Sequence, residues 1–466
     1  MAGIISFGAY IPVYRLDRKL LSDVWGIGGR GEKAVANCDE DSLTLGVEAG
    51  LDCLRGLKRD DIDALFFAST TPPYREKLSA SIIAPALDLR EDIFTADFTD
   101  SLRAGSMALR AAFDAVRAKS ARKVLVIVSD TRLPAPASEY EALFGDGASA
   151  FLIGEEDVAC ELLETSFLSS EFMDYWRREE RFVLAWEDRF MNIEGYQNHM
   201  VRVLKPILKR NEGVSRVVYY AHDNRTHGML ARSLGIPREK LEEPIFDSVG
   251  NTGASLSFLM LTKALETAKA GDRIIFANYG DGADAWVFEV REPIEDVRRR
   301  IKGFSKHLSS KLMLENYGKY IKFRSLMEFM PSLEYRLRTS LPLLWRDRKD
   351  VLRLYAQRCR KCGRLQYPSQ KVCMWCQAIG EFDEERIAER EGTLFTYSID
   401  ERAPVIDPPN VLAVADLDGG VRFFSHMTDR DTKRLEVGMP VELTFRRYHE
   451  ALRIYNYFWK IRPRRG

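Results

Sequence analysis

Four cysteines in the C-terminal third constrain the fold more than any other feature of this sequence. Cys359, Cys362, Cys373 and Cys376 have the spacing C-x2-C-x10-C-x2-C. Two short thiolate pairs of this kind can close a tetrahedral Zn²⁺ site with Zn–S bonds of about 2.3 Å, and the spacing is typical of a zinc ribbon. Gly363 suits the tight turn that follows the first pair. Two disulfides or four unrelated thiols are the alternative. Because protein fills all four positions, we expect a structural zinc with no site open to water.

Composition and charge exclude several functions. A chain of 466 residues is long enough for two or three domains. Lys+Arg and Asp+Glu are both 69, so no global basic field favours nucleic acid or an anionic membrane as a partner. Only Cys38, Cys53 and Cys160 lie outside the ribbon, which favours a reducing cytoplasm over a disulfide framework. The first residues lack the features of a signal peptide, and no apolar run reaches about 18 residues, so we expect no transmembrane helix.

The first 290 or so residues alternate between strand-like and helix-like segments. Short apolar, β-rich runs at 63–68, 123–128 and 216–221 predict buried strands, and 41–55 and 103–119 predict helices. Alternation over this length indicates βαβ units and a layered α/β core.

The residue pattern changes twice more along the chain. Residues from about 294 to 350 are charged and helical, and their Arg and Lys side chains form either a solvated helix face or contacts with a phosphate-rich ligand. After the ribbon, strand-like runs at 393–399, 410–416, 420–425 and 440–445 predict a small OB-type β-barrel.

Several motifs give the N-terminal part a family resemblance. They are an opening strand and turn at 3–15, a helix at 39–49, glycine-rich segments at 144–154, 250–255 and 278–283, and His222 followed by Asp223 and Asn224. In this order they resemble the thiolase superfamily, and most closely its 3-hydroxy-3-methylglutaryl-CoA (HMG-CoA) synthase branch. Residues from about 350 to 462 resemble the zinc-ribbon/OB proteins that accompany acyl-CoA thiolases.

The resemblance implies four modules and a substrate class. We expect a thiolase-like layered αβαβα core at 1–292, a helical connector at 293–350, the zinc ribbon at 351–385 and the OB-fold domain at 386–462. It also implies a coenzyme A thioester as substrate and a homodimer, and it admits a separate thiolase subunit as a partner.

Two positions depart from the family pattern. The superfamily's cysteine nucleophile falls on Leu102, and the general acid/base glutamate of the branch falls on Thr70. Leucine cannot form an acyl-enzyme. Of the three synthase residues only His222 remains, although a slip of one position offers Ser101.

The remaining residues favour chemistry without an acyl-enzyme. His222 can act as an acid or base and Asn251 can donate to an oxyanion, unless His222 is a relic of a lost site. Tyr74 is a further acid/base candidate or a packed aromatic residue, and Ser101 is a nucleophile or a helix cap. These residues meet the needs of a retro-aldol step, which requires only a base and an oxyanion hole.

Three functions remain open from the sequence. They are a carbon–carbon bond enzyme of the HMG-CoA synthase type, an aldolase or lyase acting on a β-hydroxyacyl-CoA, and a non-catalytic scaffold subunit. Arg103, Lys205 and Lys209 are candidates for anchoring the phosphates of coenzyme A.

Overall fold

The chain forms two compact units in the computed structural model, which describes residues 2–178, 181–327 and 339–465. The first unit comprises the chain up to Ala36, Asp41–Ala84 and Leu89–Tyr320. The second comprises Asn37–Glu40, Pro85–Asp88 and the described chain from Ile321 onward. Two short N-terminal segments therefore belong to the C-terminal unit.

A nine-stranded sheet organises the first unit. Its strands run, in spatial order, Arg216–Tyr219, Arg273–Tyr279, Gly282–Val290, Cys160–Ser169, Gly3–Tyr10, Gly147–Gly154, Lys123–Asp130, Ile62–Ala68 and Phe94–Phe98. Gly3–Tyr10 pairs with Gly147–Gly154 along its whole length but with Cys160–Ser169 only at Gly3 and Ile4. The sheet therefore consists of two halves that meet at one end of its central strand.

Two helices of the first unit are buried on almost every side. Ser42–Cys53 and Leu256–Leu265 are mostly apolar and are buried around nearly their whole circumference, which is the pattern of a central layer. Asp41 caps the first of them through a reciprocal capping box with Thr44. Amphipathic helices such as Ala104–Arg117 and Asn198–Arg210 bury one face against the sheet. The predicted layered, thiolase-like α/β core is confirmed.

Shorter elements complete this unit. The strands are Tyr14–Asp17, Glu32–Val35, Tyr175–Trp176 and Leu184–Ala185, and the helices are Lys19–Trp25, Ala80–Ala86, Glu139–Leu143, Asp188–Phe190, Asn224–Leu234, Arg238–Lys240 and Gly253–Ser255. A π-helix, Met191–Gln197, leads directly into Asn198–Arg210. Such π-turns are frequent at functional sites.

The segment predicted as a connector is helical where it is described. It contains the helices Ile294–Arg300, Gly303–Ser309, Tyr317–Phe323 and Leu341–Arg346, the π-helix Lys349–Arg353 and the short strand Leu312–Met313. That strand pairs in parallel with Tyr14–Asp17, so the first unit continues past the predicted boundary at residue 292. Residues 328–338 of the connector lie outside the described residues.

The second unit contains the predicted ribbon and barrel. Leu365–Gln366, Tyr355–Cys359 and Phe382–Arg386 form the three-stranded ribbon sheet. The barrel strands run, in spatial order, Val421–His426, Asn410–Leu417, Glu391–Asp400, Pro440–Ala451 and Ile454–Pro463. A bridge between Met427 and Ile461 nearly closes this sheet, so the OB-type barrel is confirmed.

A buried ionic cluster lies within the second unit. The Arg446 side chain is fully buried, and its guanidinium contacts the carboxylates of Glu40, Asp39 and Asp429. Burial alone would raise the pKa of Asp39, but Lys460 and Arg446 lower that pKa to about 2. We call Arg446, Glu40, Asp39, Asp429 and Lys460 the barrel ionic cluster.

None of the helices in the described part of the chain has the length and apolar character that would let it cross a membrane.

Candidate active site and metal centre

His222 lies just beyond the carboxyl end of an edge strand of the nine-stranded sheet. It follows Arg216–Tyr219 and precedes the helix Asn224–Leu234, which Asp223 caps through a capping box with Thr226. The His222 side chain is almost fully buried, and burial lowers its pKa to about 4. Neither ring nitrogen has a hydrogen-bond partner among the described residues. A neutral imidazole with free nitrogens can accept or donate a proton.

Four tyrosine rings enclose His222. The distances from the His222 ring centroid are 4.9 Å to Tyr196, 5.2 Å to Tyr175, 5.5 Å to Tyr279 and 5.6 Å to Tyr220. We call these four residues the tyrosine cluster. Sequence analysis did not identify them, because Tyr175, Tyr196 and Tyr279 come from distant segments and no local motif marks any of the four.

Asn251 lies beside His222, as the motifs predicted, but its amide is engaged. Nδ2 donates to the His222 carbonyl at 3.0 Å and to the Tyr220 hydroxyl at 3.3 Å. Oδ1 accepts from the Gly253 amide at 2.9 Å. The role of Asn251 as an oxyanion donor stays a prediction.

A buried carboxylate, Asp130, holds the loop that carries Thr70. Asp130 ends the apolar strand Lys123–Asp130 and accepts from the Thr70 amide at 2.6 Å and from the Thr70 hydroxyl at 2.8 Å. It also accepts from Ser69 and Thr71, and from the Ala254 amide at 2.8 Å. The carboxylate therefore ties the Thr70 loop to the loop of Asn251. A charged residue at the end of an apolar strand was the signal that sequence analysis passed over.

Leu102 lies in the hydrophobic core, just before the helix Ala104–Arg117. The Asn278 amide donates to its carbonyl at 3.3 Å, and a side chain at Gly280 would meet the Leu102 Cβ at 3.0 Å. Its neighbour Ser101 donates to Asp281 at 2.6 Å and accepts from the Arg103 amide at 3.2 Å. The second contact forms a serine turn before the helix, whose N-cap residue is Arg103, and the roles of Ser101 as a cap or a nucleophile stay predictions.

The other predicted residues lie around this region in different settings. The Arg103 guanidinium donates to the carbonyls of Gly280 at 2.7 Å and Leu168 at 3.2 Å, so a phosphate would compete with backbone acceptors. Lys205 and Lys209 are exposed on the helix Asn198–Arg210, and Tyr74 is half-buried. Their binding and catalytic roles stay predictions.

Asp174 adds a second buried carboxylate near the tyrosine cluster. Oδ1 accepts from the Tyr175 amide at 2.5 Å, and the carboxylate also interacts with the Tyr279 hydroxyl. Burial raises the pKa of Asp174, and the same cause raises the pKa of the adjacent Tyr279. A buried carboxylate and a buried phenol thus lie beside the cluster around His222.

The four ribbon cysteines converge as their spacing predicted. Their sulfur atoms all lie within 4.8 Å of one another, and the pairs Cys359–Cys376 and Cys362–Cys373 are 3.6 Å apart. Sulfurs around a tetrahedral zinc are separated by about 3.8 Å, so the group fits a metal ion.

Both knuckle turns have the backbone shape that such a site requires. Gly363 and Gln377 have φ values of 70° and 58°, and their amides donate to the Cys359 and Cys373 carbonyls. The backbone amide of Cys376 lowers the pKa of the Cys373 thiol to about 6, which favours the thiolate that binds metal.

Three family models match this chain. The model for 3-oxoacyl-[acyl-carrier-protein] synthase III matches residues 96–179, within the first unit. The rubredoxin-like zinc ribbon domain of ChsH2 matches residues 346–378, and the C-terminal OB-fold domain of ChsH2 matches residues 385–446. Fold and site thus define a thiolase-like condensing-enzyme domain joined to a zinc ribbon and an OB-fold.

Curated relatives identify the family more narrowly. The hydroxymethylglutaryl-CoA synthase of Methanopyrus kandleri is 32% identical over 344 residues, which cover 70% of this chain and 98% of the relative. That of Pyrococcus horikoshii is 32% identical over 336 residues, covering 69% and 95%. The chain belongs to the hydroxymethylglutaryl-CoA synthase family.

Solved structures share the fold. An HMG-CoA synthase complexed with CoA matches with a TM-score of 0.62 at 19% identity, covering 69% of this chain and 89% of that one. The HMG synthase of the curacin biosynthetic pathway matches with a TM-score of 0.62 at 17% identity, covering 83% and 100%.

Proposed function

We propose that this protein makes or breaks a carbon–carbon bond in a coenzyme A thioester without forming an acyl-enzyme. The observation that carries the proposal is Leu102, whose aliphatic side chain packs into the core where the family pattern has its nucleophile. The family supports condensing chemistry on a CoA thioester, while the loss of the cysteine favours a direct aldol or retro-aldol route.

His222 supplies the proton transfer in this route. In the cleavage direction, a His222 ring nitrogen takes the proton from the β-hydroxyl of a β-hydroxyacyl-CoA. The electron pair of the O–H bond forms the carbonyl, and the electrons of the Cα–Cβ bond move to the thioester as an enolate. The protonated His222 then returns the proton to Cα, which leaves an acyl-CoA and a free carbonyl compound. The reverse sequence is an aldol condensation.

The metal centre has a separate, structural role. All four ligand positions are cysteines, so the zinc that we propose there would stabilise the ribbon and would not activate water. The thiolates hold the two knuckles together, and no step of the bond chemistry passes through the metal.

We also propose a homodimer through the first unit. Phe94–Phe98 is an edge strand of the nine-stranded sheet, and the Phe94 side chain is 65% exposed. An unpaired edge with an exposed aromatic residue favours pairing with a second copy across a twofold axis. Light scattering at micromolar concentration should show a dimer, and a monomer would contradict this. Binding of a separate thiolase subunit remains a prediction from the resemblance.

Product analysis with a panel of thioesters tests the proposed reaction. The purified chain is incubated with acetyl-CoA, acetoacetyl-CoA and several β-hydroxyacyl-CoAs, and products and intact protein mass are measured by mass spectrometry. We expect cleavage of a β-hydroxyacyl-CoA with no change in protein mass. A stable adduct of about 42 Da would mean that another residue, such as Ser101, acts as the nucleophile.

A pair of histidine variants assigns the activity. His222→Gln should lower the rate by about 10²–10⁴-fold, the usual contribution of a positioned acid or base. His227→Gln is the matched control, because His227 is also buried but stacks on Tyr219 outside the cluster around His222. Equal activity of both variants and wild type would contradict the role of His222. An inactive wild type would favour the scaffold role.

A further inference from the structure

We propose that Tyr220 is the residue that donates a hydrogen bond to the thioester oxygen as the enolate forms, and that Asn251 positions it. This inference rests on the proposed function. It assigns the stabilisation of negative charge to a side chain that no sequence motif marks.

The Tyr220 side chain is fixed in place by contacts on several sides. It is fully buried immediately after the strand Arg216–Tyr219, and its amide donates to the Ala277 carbonyl at 3.0 Å. The Tyr196 hydroxyl donates to the Tyr220 carbonyl at 2.8 Å. Its ring meets the His222 ring edge-on at 5.6 Å. A donor held this rigidly needs little reorganisation when charge develops nearby.

The Tyr220 hydroxyl accepts a hydrogen bond but donates none to another described residue. Its oxygen accepts from Asn251 Nδ2 at 3.3 Å, and within the described part of the chain no acceptor takes its own hydrogen. Buried polar hydrogens in proteins are nearly always bonded to protein or to an ordered partner. The hydroxyl therefore has one donor position available for a bound molecule.

Other unsatisfied polar atoms lie around the same rings. Both nitrogens of His222 have no hydrogen-bond partner among the described residues, and the Asp174 carboxylate interacts with the Tyr279 hydroxyl. The Tyr279 ring lies 5.5 Å from the His222 ring and 6.3 Å from the Tyr220 ring, and the Asp174 carboxylate influences the Tyr220 hydroxyl electrostatically. A ligand that satisfies this set needs both acceptor and donor oxygens. A β-hydroxyacyl thioester carries both, as a carbonyl and a hydroxyl.

Asn251 acts through Tyr220 and not on the substrate directly. Its two amide hydrogens are used by the His222 carbonyl and the Tyr220 hydroxyl, and its oxygen by the Gly253 amide. The bond from Asn251 polarises the Tyr220 O–H group, because hydrogen bonds in a chain strengthen one another. Asn251 is thus a positioning residue.

The Tyr220 hydroxyl keeps its proton at neutral pH. Burial raises its pKa to about 12, although the nearby Arg132 acts in the opposite direction. A neutral phenol donates a hydrogen bond to the enolate oxygen and retains its proton, so proton transfer stays with His222.

Tyr219 provides a matched comparison on the same strand. Neighbouring strand residues point to opposite faces, and the Tyr219 hydroxyl donates to the His227 carbonyl at 2.8 Å. Its donor position is therefore occupied within the protein. Tyr219→Phe removes a hydroxyl whose hydrogen is already bonded within the protein. Tyr220→Phe removes a hydroxyl whose hydrogen is available to a bound molecule.

The test compares Tyr220→Phe with Tyr219→Phe in the full-length chain. With a β-hydroxyacyl-CoA that wild type cleaves, Tyr220→Phe should lower kcat about 10²–10³-fold, with KM changed much less, as for other lost oxyanion donors. Tyr219→Phe should remain near wild type. Exchange of the acetyl-CoA methyl protons in D₂O, followed by NMR, should fall in parallel, because it reports enolate formation without bond cleavage.

A second variant separates this role from a packing effect. Asn251→Asp keeps the shape but replaces the amide group that donates to Tyr220 by an acceptor oxygen. Its loss of kcat and that of Tyr220→Phe should not add in the double variant, because the two residues act as a unit. If Tyr220→Phe folds poorly, as judged by thermal unfolding, Asn251→Asp alone decides the question, because its kcat should fall with KM changed much less, and an unchanged kcat would overturn the role of Tyr220.

The possible results have distinct meanings. Equal kcat for Tyr220→Phe and Tyr219→Phe, a change in KM alone, or additive losses with Asn251→Asp would overturn the role of Tyr220 while leaving the proposed function intact. A wild type that neither cleaves the carbon–carbon bond of a β-hydroxyacyl-CoA nor exchanges the methyl protons of acetyl-CoA would overturn both.

Discussion

The barrel ionic cluster and the surroundings of His222 are both buried and polar, yet they differ in how their polar atoms are satisfied. In the barrel, Arg446 contacts three carboxylates, and Lys460 binds Asp39 at 2.9 Å. Around His222, its two ring nitrogens and the Tyr220 hydrogen have no acceptor or donor in the described chain.

This difference distinguishes a structural cluster from a site for a bound molecule. A buried charge that is fully paired can be tolerated as part of the fold, whereas an unpaired buried polar atom costs free energy unless a ligand or water completes it. We therefore interpret the barrel ionic cluster as structural and the surroundings of His222 as a site built for a bound molecule.

Loss of a ribbon cysteine should give the largest effect on stability. Cys373→Ser should release the metal and unfold the ribbon, because structural zinc contributes about 10–16 kcal/mol in ribbon-like and finger peptides. Metal analysis should find one zinc per chain in wild type and none in the variant. Cys38→Ser, outside the ribbon, should keep its zinc. A wild type without zinc would show that the site is wrongly assigned.

Breaking the barrel ionic cluster should come next. Arg446→Ala removes the guanidinium that contacts the buried carboxylates of Glu40, Asp39 and Asp429, which should lower the free energy of unfolding of the C-terminal unit by about 3–5 kcal/mol. Arg422→Ala, which removes an exposed partner of Asp416, should have little effect. Urea unfolding checks both. A similar, small change in the free energy of unfolding of both variants would contradict the structural role of the barrel ionic cluster.

The pH dependence of kcat/KM tests the role of His222 as the base. Because burial lowers the pKa of His222 to about 4, the neutral base persists well below the ordinary histidine value of 6.5. Protonation on acidification removes the base, so kcat/KM should stay level from pH 7 to about 5 and fall as pH decreases through about 4. A fall centred near 6.5 would indicate an exposed histidine and contradict the buried site.

Restoring a nucleophile should give the smallest effect. Leu102→Cys places a thiol at the position of the family nucleophile, and acetyl-CoA should then leave a trace of acetylated protein by mass spectrometry. Thr70 supplies no carboxylate, so further reaction of the adduct should stay slow. Ser101→Cys is the control for register. More acylation there than at Leu102→Cys would shift the motif alignment by one residue.

Local patterns in the sequence were sufficient for many of these features. The spacing of four cysteines predicted the ribbon because both thiolate pairs lie on short turns. Strand-like runs predicted the barrel strands Asn410–Leu417 and Val421–His426 nearly to their ends, because alternating burial is written into consecutive residues. Motif order identified the thiolase-like core, and it predicted that Leu102 and Thr70 replace reactive side chains.

Only the tertiary structure showed which polar groups meet. Asp130 reaches Thr70 and Ala254, and Arg446 reaches Glu40, across long stretches of chain that no periodicity relates. Tyr220 looks like any strand tyrosine in the sequence, and only its contact with Asn251 distinguishes it from Tyr219. The sequence by itself determined the thiolase-like core, the ribbon and the barrel, because these depend on residue type and short spacing, and it predicted that the nucleophile is missing. Which buried polar atoms are paired and which are left for a ligand was decided by packing, because such pairing is a property of neighbours in space.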